Sequence, residues 1–89
     1  MKAIVTVIGK DQVGIIAAVC SLLAEHSINI LDITQTVLQE NFTMVMLVDT
    51  SACSLPLGDI ADLLDKAGKE RNLSIRIQRE DIFNAMHRI

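Results

Sequence analysis

The sequence predicts an α+β fold in which two helices cover one face of a four-stranded antiparallel sheet. Four segments have the alternation and β-branched content of strands, and two longer segments repeat apolar residues at helical spacing. The elements follow in the order β-α-β-β-α-β, with a short helix at the C-terminus. Two right-handed crossovers in this order place both helices on the same side of the sheet. We therefore expect a ferredoxin-like sandwich with the strand order 4-1-3-2.

The first and third strands are predicted to be central because both of their faces are apolar. They cover residues 2–8 and 42–48. Residues 30–38 and 73–78 alternate between apolar and polar side chains, which is typical of strands with one wet face. We therefore expect these two strands at the edges of the sheet. A short hairpin at residues 39–41 makes the second and third strands antiparallel.

The helices are predicted from apolar stripes and from their end residues. The first covers residues 14–26 with Asp11 as its candidate N-cap, and the second covers residues 56–71 with Ser54 as its candidate N-cap. Asn72 is a suitable stop for the second helix. A last helix over about residues 81–89 is too short to be stable alone. It packs either on its own sheet or on a second chain.

Composition limits the classes of function that the chain can serve. A length of 89 residues predicts a single domain, and 51% hydrophobic residues are more than a small monomer needs, which indicates self-association. A net charge of −3 disfavours nucleic-acid binding. The longest apolar run is too short to cross a bilayer, and two widely spaced cysteines form no metal-ligand pattern. We expect a reduced, cytoplasmic protein without a cofactor or metal.

The stretch Gly9-Lys10-Asp11-Gln12-Val13-Gly14-Ile15 joins the first strand to the first helix. Gly14 lies where helix propensity disfavours glycine by roughly 1 kcal/mol relative to alanine. Two interpretations are open: tight packing of strand against helix, which composition favours, or the close approach of a ligand or partner chain to the backbone. No Ser/His/Asp or Cys/His set can be assembled from the two histidines and two cysteines, so we expect no catalytic residues and no enzyme.

The same stretch, together with Asn29-Ile30, resembles the ACT domain family. The run Leu22-Leu23-Ala24-Glu25-His26-Ser27-Ile28-Asn29-Ile30-Leu31-Asp32-Ile33 carries much of the likeness. It is most similar to stand-alone bacterial ACT proteins and to the ACT domains of the glycine-cleavage repressor and of formyltetrahydrofolate deformylase. The resemblance implies a ferredoxin-like fold and a regulatory, non-catalytic role. Such domains bind a small effector, often an amino acid, between two ACT units.

The resemblance also implies which residues form the site. Positions matching Gly9, Asp11 and Asn29 commonly contact the effector, and Gly14 commonly lies where two units approach. The predicted ligand-binding set is therefore Gly9, Asp11, Gln12, Val13, Gly14, Ile15, Asn29 and Ile30. Two positions depart from the family pattern: Val13 stands where many members have proline, and Gly9 stands where some amino-acid binders have a polar side chain.

Two classes of function follow from these observations. The first is a regulatory homodimer, or higher homo-oligomer, that binds an amino acid and acts allosterically on a separate protein in amino-acid metabolism or transcription. The alternative is an assembly protein with an ACT fold that binds no small ligand. Two dimer geometries are open, namely pairing of sheet edges and burial of the uncovered sheet face.

Overall fold

The alternating segments form four strands and the periodic segments form three helices. A computed structural model describes residues 1–10 and 12–86. The elements, in chain order, are β1 Lys2–Lys10, α1 Ile15–Glu25, β2 Asn29–Leu38, β3 Asn41–Asp49, α2 Leu57–Arg71, β4 Leu73–Arg79 and α3 Glu80–Met86. The predicted order and approximate bounds are confirmed, and the end of the predicted C-terminal helix, residues 87–89, lies outside the described residues.

The strands form one antiparallel sheet in the order β2-β3-β1-β4, which confirms the predicted 4-1-3-2 arrangement. β1 pairs with β3 along its whole length, from Lys2 opposite Asp49 to Lys10 opposite Asn41. β4 pairs with the other side of β1. β1 and β3 are therefore central and β2 and β4 are the edges, as the apolar pattern of the strands predicted.

The core lies between the helices and one face of the sheet. Alternate residues of the two central strands are fully buried there, because successive side chains of a strand point to opposite faces. They pack against the buried stripe of each helix, and the largest fully buried side chains are Leu23, Met44, Met46 and Leu64. Deleting one of these side chains by substitution with alanine typically costs about 2–5 kcal/mol. The helices are therefore held to the sheet mainly by aliphatic and Met packing.

β2 differs from its prediction. A wet face and a buried face were expected, but every residue from position 31 to position 38 is exposed. Ile33 and Val37 lie opposite the buried Met46 and Phe42 of β3, yet they remain 41% and 52% exposed. A register shift between Ile30 and Asp32 moves Leu31 out of the regular pairing. The single chain therefore leaves an apolar edge strand uncovered.

The helix starts also differ from the prediction. Gly14 is the N-cap of α1 and Pro56 is the N-cap of α2, and neither helix has a side-chain cap hydrogen bond. Ser54 therefore does not cap α2, and the other predicted cap, Asp11, lies outside the described residues. At the other end of α2 the prediction is confirmed: Asn72 has φ 58° and its N–H donates to the last carbonyls of the helix.

Candidate functional site

The turn between β1 and α1 is shaped by the backbone of Gly14. This residue has φ 85° and ψ 7°, in the left-handed region that glycine adopts without the steric cost of a Cβ. A Cβ placed there would meet nothing within 4 Å. The interpretation of Gly14 as a tight strand–helix contact is therefore wrong for the single chain. The space beside its backbone is open.

The first turn of α1 presents backbone donors to this open space. The first N–H groups of a helix have no acceptor within the helix, and among residues 1–10 and 12–86 no side chain caps them. The first acceptor of the helix is the Gly14 carbonyl, which receives a hydrogen bond from the Ala18 N–H at 2.9 Å. No acidic residue lies in the first turn. The uncapped N–H groups and the positive end of the helix dipole suit an anion such as a carboxylate.

A cavity of about 140 Å³ lies at this helix start. Its walls are mainly aliphatic and aromatic, and its polar contributions come from the turn backbone and one amide side chain. The lining residues are Gln12, Gly14, Ile15, Ile16, Ala17 and Phe42. The arrangement suits a small molecule with a carboxylate at one end and an apolar part against Ile16 and Phe42.

Gln12 fastens the turn to the second helix. Its side-chain Nε2 donates to the Arg71 carbonyl at 3.0 Å, and Arg71 is the last residue of α2. Val13, at the tip of the turn, is 99% exposed. The turn is therefore held on the side of α2, while its tip and the start of α1 remain accessible.

Gly9 is explained by packing within the chain. It lies between Phe42 of β3 and Leu73 of β4 in the sheet register. A Cβ at this position would overlap Leu73 Cδ2 and lie 3.3 Å from the Asn72 carbonyl oxygen. A side chain at this position would require Leu73 to shift, so the close passage of β4 accounts for this glycine without a ligand.

Asn29 and Ile30 lie at the opposite end of the sheet from the turn. Asn29 pairs with Asp49, which in turn pairs with Lys2 at the start of β1. The two ends of a ten-residue strand are separated by about 30 Å. One chain therefore brings Gln12, Val13, Gly14 and Ile15 together but does not bring Asn29 or Ile30 to them.

The Asn29 end of the sheet carries an ordered polar cluster. Asp49 Oδ1 accepts hydrogen bonds from the Ser51 N–H at 2.9 Å and the Ser51 hydroxyl at 2.6 Å. The N-terminal ammonium of Met1 lies 3.5 Å from the same oxygen. Hydrogen bonds from Ser51, and then the nearby ammonium, hold the pKa of Asp49 below its usual value. Asp49 is thus a stable anion beside Asn29.

Three residues of the cavity were not among those predicted from the sequence, namely Ile16, Ala17 and Phe42. Ile16 and Ala17 follow the predicted Ile15 in the same helical turn, so helical geometry contained the signal for them. Phe42 reaches the site only because the β1–β3 register sets it opposite Gly9. That register could not be read from the spacing of residues along the chain.

The fold and the turn correspond to a known class of small α+β domains. The sequence model described as "ACT domain" matches residues 2–78. The chain is 57% identical over 89 residues to a UPF0237 protein of Clostridium acetobutylicum, with both sequences fully covered. It superposes on an ACT domain protein from Streptococcus pneumoniae with a TM-score of 0.84 and 42% identity, over 98% of each chain. The protein belongs to the ACT domain family.

Two larger proteins share the fold at lower identity. A glycine cleavage system transcriptional repressor superposes with a TM-score of 0.74 and 22% identity, over 86% of this chain and 44% of its own. A formyltetrahydrofolate deformylase from Pseudomonas syringae pv. tomato superposes with a TM-score of 0.76 and 23% identity, over 88% and 27%. The predicted likeness to both families is confirmed at the level of the fold.

ACT domains are typically ligand-binding regulatory domains, and the match indicates no catalytic family. None of the described helices is long and apolar enough to cross a membrane. Within residues 1–10 and 12–86, no three His, Cys, Asp or Glu side chains are grouped so as to hold a metal ion.

Proposed function

We propose that the protein is a cytoplasmic homodimer that binds a small amino acid, or a similar carboxylate, between its subunits and regulates a separate protein. The observation that carries the proposal is the position of the predicted site residues at opposite ends of one sheet. The turn lies beside the end of β2, and Asn29 lies at its beginning. A second copy is needed to bring the two parts together.

Antiparallel pairing of β2 with β2 of a second copy supplies this geometry. A two-fold axis at the middle of the strand sets Asn29 of the partner subunit beside Leu38, at the end where the turn lies. β2 is exposed from Leu31 to Leu38 and carries apolar side chains that the single chain does not cover. Such an edge strand pairs readily with another strand. We therefore favour edge pairing over burial of the open sheet face.

In this dimer the ligand carboxylate meets the uncapped N–H groups at the start of α1. Its ammonium meets Asp11 or the side-chain amide oxygen of Asn29 of the partner subunit. Asp49 of the partner subunit adds negative charge near that amide. Aliphatic parts of the ligand contact Ile16 and Phe42 in the cavity. Both charges of a free amino acid then have a suitable partner: backbone N–H donors for the carboxylate, and a carboxylate or amide oxygen for the ammonium.

The test is a thermal-shift screen of the twenty amino acids, followed by calorimetry on any hit. Whichever of Asn29→Ala and Asp11→Ala removes the contact with the ammonium should weaken binding by about 1.5–3 kcal/mol, roughly ten- to a hundredfold, because a charge-assisted hydrogen bond is lost. Ser74→Ala, an exposed change on the opposite edge strand, is the control and should leave the affinity unchanged.

Two results would redirect the proposal. An unchanged affinity in both Asn29→Ala and Asp11→Ala would place the ligand elsewhere on the protein. A dimer that binds no amino acid at millimolar concentration would favour the alternative function, in which the ACT fold serves assembly alone.

A further inference from the structure

β4 is the second edge strand of the sheet. β4 pairs with β1 on its inner side, and no strand in the described part of the chain pairs with its outer side. A groove of about 330 Å³ lies between this strand and α2. Four successive residues of β4, Ile75 to Gln78, line it. Successive side chains point to opposite faces, so the groove follows the backbone edge of the strand.

The wall that α2 contributes to this groove is acidic. It consists of Ala61, Asp62 and Asp65. The two aspartates lie three residues apart on the helix, and both are exposed. Asp65 is paired with Lys69 at 3.1 Å, and Asp62 has no ion-pair partner among the described residues. Arg76 also lines the groove, but it alternates with the buried Ile75 and Ile77 and so points to the face of β4 away from α2. A basic side chain on the α2 side of an occupant therefore gains an electrostatic contact with Asp62.

A second copy of the chain is a poor occupant of this edge. Arg76 is the middle residue of the seven in β4 and is exposed. Full-length antiparallel pairing of two β4 strands about a two-fold axis sets the two Arg76 side chains directly opposite each other. Like charges in that position destabilise a strand pair. β2, by contrast, has no basic residue between Asn29 and Leu38, so the two edges differ in what they can bind.

We propose that the outer edge of β4 binds an extended segment of a different protein, which adds to the sheet as a fifth strand and sets a basic side chain against Asp62 and Asp65. Backbone hydrogen bonds to β4 supply most of the affinity, and alternate side chains supply the selectivity. This surface gives the protein a contact through which it acts on a partner. The inference does not depend on the effector site, so either proposal can fail without the other.

The test uses ¹⁵N-labelled full-length protein and two synthetic nine-residue peptides of alternating Val and Thr, without amino-acid effector. One peptide carries two Lys on one face and the other carries two Glu at the same positions. The basic peptide should shift the amide resonances of residues 73–79 and protect these amides from hydrogen exchange. It should bind roughly tenfold more tightly than the acidic peptide, since each exposed ion pair contributes up to about fivefold in affinity.

Substitutions in α2 distinguish binding in the groove from a general effect of the protein's charge. Asp62→Lys with Asp65→Lys should reverse the preference between the two peptides, and Asp62→Asn with Asp65→Asn, a milder change, should abolish it. Glu70→Lys is the matched control, because it changes charge on the same helix outside this groove, and should leave the preference intact.

Three outcomes overturn the inference. The first is no perturbation of β4 at millimolar peptide, and the second is perturbation confined to β2. The third is protection of the β4 amides that increases with protein concentration in the absence of peptide, since the occupant is then a second copy.

Discussion

Gly14 and Gly58 both lie at the start of a helix, and neither has a neighbour within 4 Å of the position that a Cβ would take. They differ in backbone conformation. Gly14 has a positive φ of 85°, whereas Gly58 lies inside α2 and is not among the positive-φ residues. Substitutions of these two glycines therefore test the need for a positive φ separately from the need for space beside the backbone.

We predict that Gly14→Ala destabilises the protein by about 1–2 kcal/mol, because alanine is strained at this φ. Gly58→Ala should stabilise it by about 0.5 kcal/mol, because alanine reduces the entropy of the unfolded chain. Urea unfolding followed by circular dichroism measures both changes. A stable Gly14→Ala variant would mean that the turn adopts another conformation.

At the scale of single elements, the N-terminus of the chain is fastened to the end of β3. The Thr50 N–H and hydroxyl both donate to the Met1 carbonyl, at 2.9 and 3.1 Å. The Met1 ammonium donates to the Ser51 hydroxyl oxygen at 2.9 Å, and Asp49 accepts from Ser51. This cluster connects the beginning of β1 to the residues beside Asn29.

The cluster predicts a dependence of stability on pH. Because the folded-state pKa of Asp49 is lowered, its contribution is complete above the unfolded-state pKa of about 3.9 and is lost as the pH falls through the folded-state pKa. Asp49→Asn should be less stable than the parent protein at pH 7, and the difference should shrink at pH 3. Urea unfolding at the two pH values measures it. Asp62→Asn is the control, and an equal difference at both pH values would argue against an ionic role for Asp49.

An added charge is predicted to affect the dimer when it is placed on β2 but not when it is placed on β4. If the proposed β2–β2 homodimer forms, Ile33→Lys on β2 should shift it toward monomer, because two lysines then lie near the two-fold axis. The fold should persist, since the Ile33 side chain is already 41% exposed. Ser74→Lys on β4 is the matched control and should leave the dimer intact. Analytical ultracentrifugation distinguishes these outcomes, and a dimer that withstands Ile33→Lys would point to pairing through another surface.

At the scale of the whole molecule, the proposed site between two subunits would couple ligand binding to association. The ligand should tighten the dimer, and by reciprocity dimer formation should tighten ligand binding. A ligand at a hundred times its Kd stabilises the state that binds it by about 2.7 kcal/mol.

We therefore predict that the increase in Tm caused by an amino acid depends on protein concentration. It should be large where the protein is dimeric and small after dilution below the dimer dissociation constant. Thermal shifts across a protein dilution series, at constant ligand concentration, provide the measurement. A shift that is independent of protein concentration would assign the ligand to a site within one subunit.

The sequence by itself determined the order of the elements, the central and edge positions of the strands, and the topology. Alternation and helical spacing are local patterns, so they identify each strand and helix. The preference for right-handed crossovers then allows one arrangement of the sheet for this order of elements. The stop at Asn72 was likewise predictable, because a residue that tolerates φ > 0 is a common helix end. Most of the turn residues of the candidate site were predicted on the resemblance to the ACT family.

Only the tertiary structure decided which residues meet. Contacts such as Gln12 with Arg71, or Gly9 with Leu73, join residues about sixty positions apart. The addition of Phe42 to the cavity depends on the pairing register of the sheet. The exposure of β2 and the separation of Asn29 from the turn arise from the position of that strand at the sheet edge. These features depend on distances between segments remote in sequence, which local periodicity does not encode.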